Sequence, residues 1–163
     1  TLVIVMAQLV VLRLLRGRRR TSALALVGLV WCASWLIFGA SAIPSSSAAR
    51  TTLVMVFAVV FAVGETFMAP TMTPLVTALV PEELLGRANA VAGGMFAFAF
   101  LVSPAIVTAF VASGVAGAWI ALLAAGALGV TLMSTQLRRR LTPDQDVGEP
   151  ELPPEPVPEP TAY

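Results

Sequence analysis

Five long apolar runs alternate with short polar segments along this sequence of 163 residues. The runs cover residues 1–15, 22–43, 51–80, 88–112 and 117–137. A helix needs about 20 mainly apolar residues to cross a bilayer, and only the first run falls clearly short of that length. Because a lipid-facing segment must satisfy its own backbone hydrogen bonds, such runs form helices. The pattern predicts an all-α membrane protein, a bundle of about five transmembrane helices within residues 1–140.

Composition supports this prediction of a multi-pass membrane protein surrounded by a lipid bilayer. The chain is 58% hydrophobic and 12% charged, with a mean hydropathy of +0.89. Soluble domains carry about 25% charged residues. The single cysteine, Cys32, lies inside an apolar run, so we expect it to pack in the protein and not to form a disulfide or metal framework.

Residues 141–163 differ completely from the rest of the chain. They contain seven of the twelve prolines and six of the nine acidic residues. A segment with so few apolar side chains cannot bury enough surface to fold alone. We therefore predict a disordered, acidic, Pro-rich tail, and a role in docking a partner is the alternative.

The arginine distribution predicts the orientation in the membrane. The chain has ten arginines and no lysine. Alternating the five spans places nine arginines on one side and only Arg50 on the other. Because cytoplasmic loops are enriched in Lys and Arg, we expect the tail in the cytoplasm and the spans in the cell membrane. A reporter after Arg140 would then be cytoplasmic, and one at Ser46 external.

Glu65 is the only acidic residue within the five runs, and it is the strongest candidate for a functional site. A charged side chain at the bilayer centre costs at least about 2.5 kcal/mol, so such residues usually face protein or a wet cavity. Helical periodicity predicts a stripe of small, soft and aromatic side chains around it: Ala58, Phe61, Ala62, Met68, Ala69 and Met72. The alternative is that Glu65 merely pairs with a polar group on a neighbouring helix.

Prolines and small residues indicate where helices bend or approach closely. Pro70 and Pro74 follow Glu65 and are expected to kink its helix, as is Pro104 in the fourth span. Gly93 and Gly94 belong to two small-residue repeats at four-residue spacing, a pattern typical of close packing between membrane helices.

Trp31 and Trp35 lie one turn apart near the middle of the second span. Tryptophan usually prefers the membrane interface. Their central position favours packing between helices, and the alternative is that they line a substrate cavity.

Several classes of chemistry have no motif in this sequence. The chain has no histidine, no HExxH, no GxSxG and no phosphate-binding GxxxxGK[ST] loop. The arginine clusters flank spans and lack interleaved aromatic residues, so they determine topology and do not indicate a nucleic-acid site. We expect no enzymatic activity, no metal and no cofactor.

The stretch GETFMAPTMTPLVTALVPEELLGRANA resembles the tenth helix and following cytoplasmic loop of drug-efflux members of the major facilitator superfamily. Its loop includes Gly86 and Arg87. The RGRRR segment with Gly17 and Arg18 is similar to that family's loop between the eighth and ninth helices. Ser103-Pro104 lies where the eleventh helix of antiporters carries a Gly-Pro motif. The resemblance covers about residues 1–140 and corresponds to helices eight to twelve.

The resemblance implies two six-helix bundles around a central substrate cavity that opens alternately to each side. Since the chain begins at Thr1 without methionine, we expect a fragment whose partners include the missing N-terminal helices. The implied function is export of a small amphipathic molecule, driven by protons. The alternatives are uptake of a metabolite or sugar, and a membrane scaffold that does not transport.

Overall fold

A computed structural model describes residues 19–147 of the chain. This part contains four long helices, a short 3₁₀ helix and a short terminal helix, and none of its residues forms a strand. The elements are α1 (Arg20–Ala40), α2 (Ser47–Leu79), a 3₁₀ helix (Glu82–Leu84), α3 (Leu85–Ala112), α4 (Ala116–Arg138) and α5 (Pro143–Val147). The prediction of an all-α membrane fold is confirmed. The predicted span 1–15, with Gly17 and Arg18, lies outside the described residues.

The four long helices correspond to the four later apolar runs. Each is long and apolar enough to cross a membrane. The polar breaks between the runs determine where the helices begin and end. Ser46 caps α2, since its hydroxyl accepts a hydrogen bond from the backbone N–H of Ala49. Gly114, with φ of 73°, adopts the left-handed conformation that closes the turn between α3 and α4.

Helix α1 is the centre of the described bundle. It packs against α4 along one side and against α2 along another. Against α4, Cys32 forms a small core with Ala124 and Ala127. The buried position of Cys32 is therefore that of a packing residue.

Helices α1 and α4 approach each other closely at Gly28. A Cβ atom added there would lie 2.6 Å from the carbonyl oxygen of Ala127 and would also collide with the Thr131 hydroxyl. That hydroxyl donates a hydrogen bond of 3.1 Å to the carbonyl of Ala25 across the interface. The absence of a side chain at Gly28 therefore permits this backbone-to-backbone contact.

Helix α3 lies at the margin of the described bundle. None of its residues is buried within this part of the chain. It meets α4 near the α3–α4 turn, where the rings of Phe110 and Trp119 are 5.4 Å apart. Gly93 and Gly94 have no described atom within 4 Å of an added Cβ. Close packing at these two glycines stays a prediction, and so does a kink at Pro104.

The first part of the predicted tail is folded, contrary to our expectation for residues 143–147. These residues form α5, and the backbone N–H of Thr142 donates to Gln145 Oε1 at 3.2 Å, which fixes the first turn. Asp146 is only 2% exposed because it docks against α1. The prediction rests on the composition of residues 141–163 as a whole, which does not reveal a helix of five residues. Residues 148–163 lie outside the described part.

Candidate functional site

Helix α2 carries the candidate site, and its two sides have different environments. Gly64, Thr71 and Leu75 are buried and follow one another at helical spacing, so they define the side that packs on α1. Glu65 lies on the adjacent side and is exposed within the described part of the chain. The helix thus separates a packed seam from a face that holds the only acid of the span.

Five aromatic rings fill the seam between α1 and α2: Trp31, Trp35, Phe38, Phe57 and Phe61. Trp31 stacks on Phe61 with ring centroids 5.8 Å apart and an interplanar angle of 16°. Trp35 lies 5.3 Å from the ring of Phe57 and 5.8 Å from that of Phe61. Such offset and edge-on arrangements stabilise aromatic pairs beyond the area they bury. For Trp31 and Trp35 a substrate cavity was the alternative to packing, and Phe61 was assigned to the stripe around the candidate Glu65. The structure brings all three together in the seam.

Gly64 allows the indole of Trp31 to sit directly on the α2 backbone. A Cβ atom at Gly64 would lie 2.5 Å from both Cδ1 and Nε1 of Trp31. The Nε1–H group is buried and has no acceptor within the described residues. The sequence did not single out Gly64 as a site residue, although it lies directly before Glu65 at the start of the GETFMAP stretch.

The predicted stripe around Glu65 is divided between two environments. Phe61 belongs to the aromatic seam, whereas Glu65 and Met72 are exposed and Met68 is half-buried. Glu65 has no side-chain hydrogen bond or ion pair to any described residue. None of α1, α3 or α4 therefore supplies, within residues 19–147, the polar partner that a purely structural role requires.

Two prolines change the backbone just beyond Glu65. Pro70 and Pro74 lie inside α2, which continues as a helix through both. Because proline has no N–H, the carbonyls of Thr66 and of Pro70 lose their usual donors one turn later. The hydroxyl of Thr66 donates to the carbonyl of Ala62 at 2.7 Å, so it does not satisfy either freed acceptor.

Gly86 and Arg87, the loop residues by which the sequence resembles the family, come after the C-terminal end of α2. The aromatic seam lies in the first half of that helix. Gly86 and Arg87 are exposed in the first turn of α3, directly after the 3₁₀ helix. Their position does not bring them to Glu65. Arg20, which the sequence did not single out, reaches α2 by donating from Nη1 to the carbonyl of Pro74 at 3.1 Å.

These features define a multi-pass membrane protein with a carboxylate on one exposed face of a proline-containing helix. The family model of the Major Facilitator Superfamily matches residues 1–160. The chain therefore belongs to this superfamily of membrane transporters, and the resemblance is confirmed at that level. No curated protein and no solved structure matches the chain.

Proposed function

We propose that the chain is the C-terminal part of a proton-coupled exporter of small amphipathic molecules, in which Glu65 carries the proton. The observation that supports this proposal is the exposed position of Glu65, which has no polar partner among residues 19–147, on a membrane-spanning helix whose only other charged residue is Arg50 near its start. A charge at this depth is costly, and taking up a proton removes it. A carboxylate without a fixed partner is free to exchange its proton with water or with a substrate cation.

The side chains next to Glu65 suit an amphipathic ligand. Met68 and Met72 follow it along α2, and methionine is flexible and adapts to varied apolar shapes. Trp31 stacks on the ring of Phe61, so this ring presents a rigid apolar surface at the edge of the face that carries Glu65. In this proposal Trp31 and Trp35 position Phe61 and do not themselves contact the substrate.

Replacing Glu65 by glutamine in the full-length protein tests the proton role. Glutamine keeps the shape and loses the titratable group, so export driven by an imposed pH gradient should fall about 100-fold, as expected when a proton-transferring group is lost. Glu65→Ala should behave in the same way. The measurement is transport into proteoliposomes as a function of internal and external pH, with protein abundance determined in parallel.

The matched control is Glu82→Gln, which removes an exposed acid outside the apolar spans. Its pH response should equal that of the wild type. If Glu65→Gln also transports with a normal pH response at normal abundance, the proton role of Glu65 is wrong. Substrate movement in the inward direction under the same gradient would instead support the uptake alternative.

The proposed orientation of the protein in the membrane can be tested with reporters. Reporters inserted after Arg140 should be cytoplasmic, and reporters at Ser46 should be external, because nine of the ten arginines lie on the first side. The measurement is the activity of paired reporters that work on only one side of the membrane. The reverse pattern would remove the basis for placing the tail in the cytoplasm.

A further inference from the structure

Asp146 is a buried carboxylate far from the candidate site. It is 2% exposed, and it lies in α5, after the last long helix. Its Oδ1 accepts a hydrogen bond of 2.8 Å from the backbone N–H of Thr21, and its Oδ2 accepts one of 2.8 Å from the Thr21 hydroxyl. Both carboxylate oxygens are therefore bound to one residue near the start of α1.

The start of α1 lacks a cap of its own. Its N-cap residue is Arg19, whose side chain makes no capping hydrogen bond. The first turn of any helix has N–H groups without helical partners and a partial positive charge. A carboxylate at this position accepts a hydrogen bond from such an N–H group and compensates the partial positive charge. Here it belongs to a residue 125 positions away in the sequence.

The same end of the bundle holds a second contact between helices. The Arg20 guanidinium donates to the carbonyl of Pro74 near the end of α2. Segment α5 also touches the α2 helix, and it follows α4 after a short turn. The beginning of α1 and the ends of α2 and α4 are thus joined through α5 and two adjacent residues of α1.

We propose that residues 141–147 form a clasp that caps α1 and holds this end of the α1–α2–α4 unit together through Asp146. Residues 148–163 are therefore dispensable for the stability of the helices, whereas residues 143–147 are not. This inference does not depend on the role proposed for Glu65.

Two truncations and one conservative substitution in the full-length protein test the clasp. Truncation after Val147 should leave the melting temperature in detergent unchanged, whereas truncation after Thr142 should lower it by about 3–10 °C. Asp146→Asn should give a similar loss, because the isosteric amide lacks the charge that strengthens both hydrogen bonds. The exposed acid Glu83 supplies the control, and Glu83→Gln should melt like the wild type.

Amide hydrogen exchange provides the site-specific readout. The Thr21 N–H should exchange at least about tenfold faster in Asp146→Asn and in the chain truncated after Thr142 than in the wild type. A change limited to the first turn of α1, together with the lowered melting temperature, establishes the clasp. Equal exchange at Thr21 in all variants, or equal melting of the two truncated chains, would overturn it.

Discussion

Replacing Gly28 by alanine should lower the free energy of unfolding by about 2–3 kcal/mol. The added methyl group meets the carbonyl of Ala127 at 2.6 Å and the backbone nitrogen of Thr131 at 3.0 Å. Backbone atoms of a helix cannot rotate away as a side chain can, so α1 and α4 must separate. Separation also stretches the hydrogen bond from Thr131 to Ala25. Unfolding of the purified protein by heat or denaturant in detergent measures this loss.

Gly126→Ala is the control for Gly28, because it makes the same chemical change in α4, where no described atom beyond the adjacent backbone of α4 itself lies within 4 Å of the new Cβ. Alanine is favoured over glycine in a helix interior by about 0.5–1 kcal/mol, so this variant should be as stable as the wild type or more so. If Gly28→Ala matches Gly126→Ala, the close contact between α1 and α4 does not exist.

Truncating Trp35 to alanine should cost about 3 kcal/mol of stability. Its indole contacts the rings of Phe38, Phe57 and Phe61, so its removal opens a gap in the seam between α1 and α2. Trp35→Phe keeps part of the packing and should recover more than half of the loss. Thermal unfolding in detergent, with and without bound substrate, measures both effects.

Phe98→Ala removes an aromatic ring that is 66% exposed on α3, and it is the matched control for Trp35. It should change stability by less than about 0.5 kcal/mol, since surface substitutions away from special features rarely exceed that. A Trp35→Ala protein of normal stability that has lost substrate binding would show that Trp35 contacts the ligand and does not act by packing.

The helices of this protein follow from its hydrophobic pattern. The runs 51–80 and 117–137 correspond to Ser47–Leu79 and Ala116–Arg138, because polar and turn-forming residues break the apolar pattern near the same points. Packing between helices was also the interpretation that the central position of Trp31 and Trp35 in their span favours. Periodicity within one helix is sufficient for statements of this kind.

The sequence does not show that the stripe around Glu65 is divided between a packed seam and an exposed face. Periodicity places Phe61 and Glu65 on adjoining turns of one broad face. Which part of that face meets α1 depends on where the indole of Trp31 reaches α2, and this is determined by the missing side chain at Gly64. A small rotation of α2 would bury Glu65 and expose Phe61. The partner helix therefore decides the environment of the acid.

The start of α5 can be predicted from neighbouring residues in the sequence, whereas its contact with α1 cannot. Thr142 and Gln145 have the spacing of a capping box, with Pro143 at the first helical position, where proline is favoured. These residues predict a helix start inside the Pro-rich segment. The pairing of Asp146 with Thr21 depends on tertiary structure, and no sequence pattern connects the two residues.

Two contacts of α1 are made with residues that are synthesised much later. Ala25 and Thr131 are 106 positions apart, and Thr21 and Asp146 are 125 positions apart. A ribosome that adds about 5–20 residues per second needs roughly 5–25 s to span these separations. During that interval the Gly28 side and the first turn of α1 lack the contacts that α4 and α5 supply. Chains released before residue 146 therefore lack the Asp146 cap on the first turn of α1, and this difference distinguishes them during biogenesis from chains that contain Asp146.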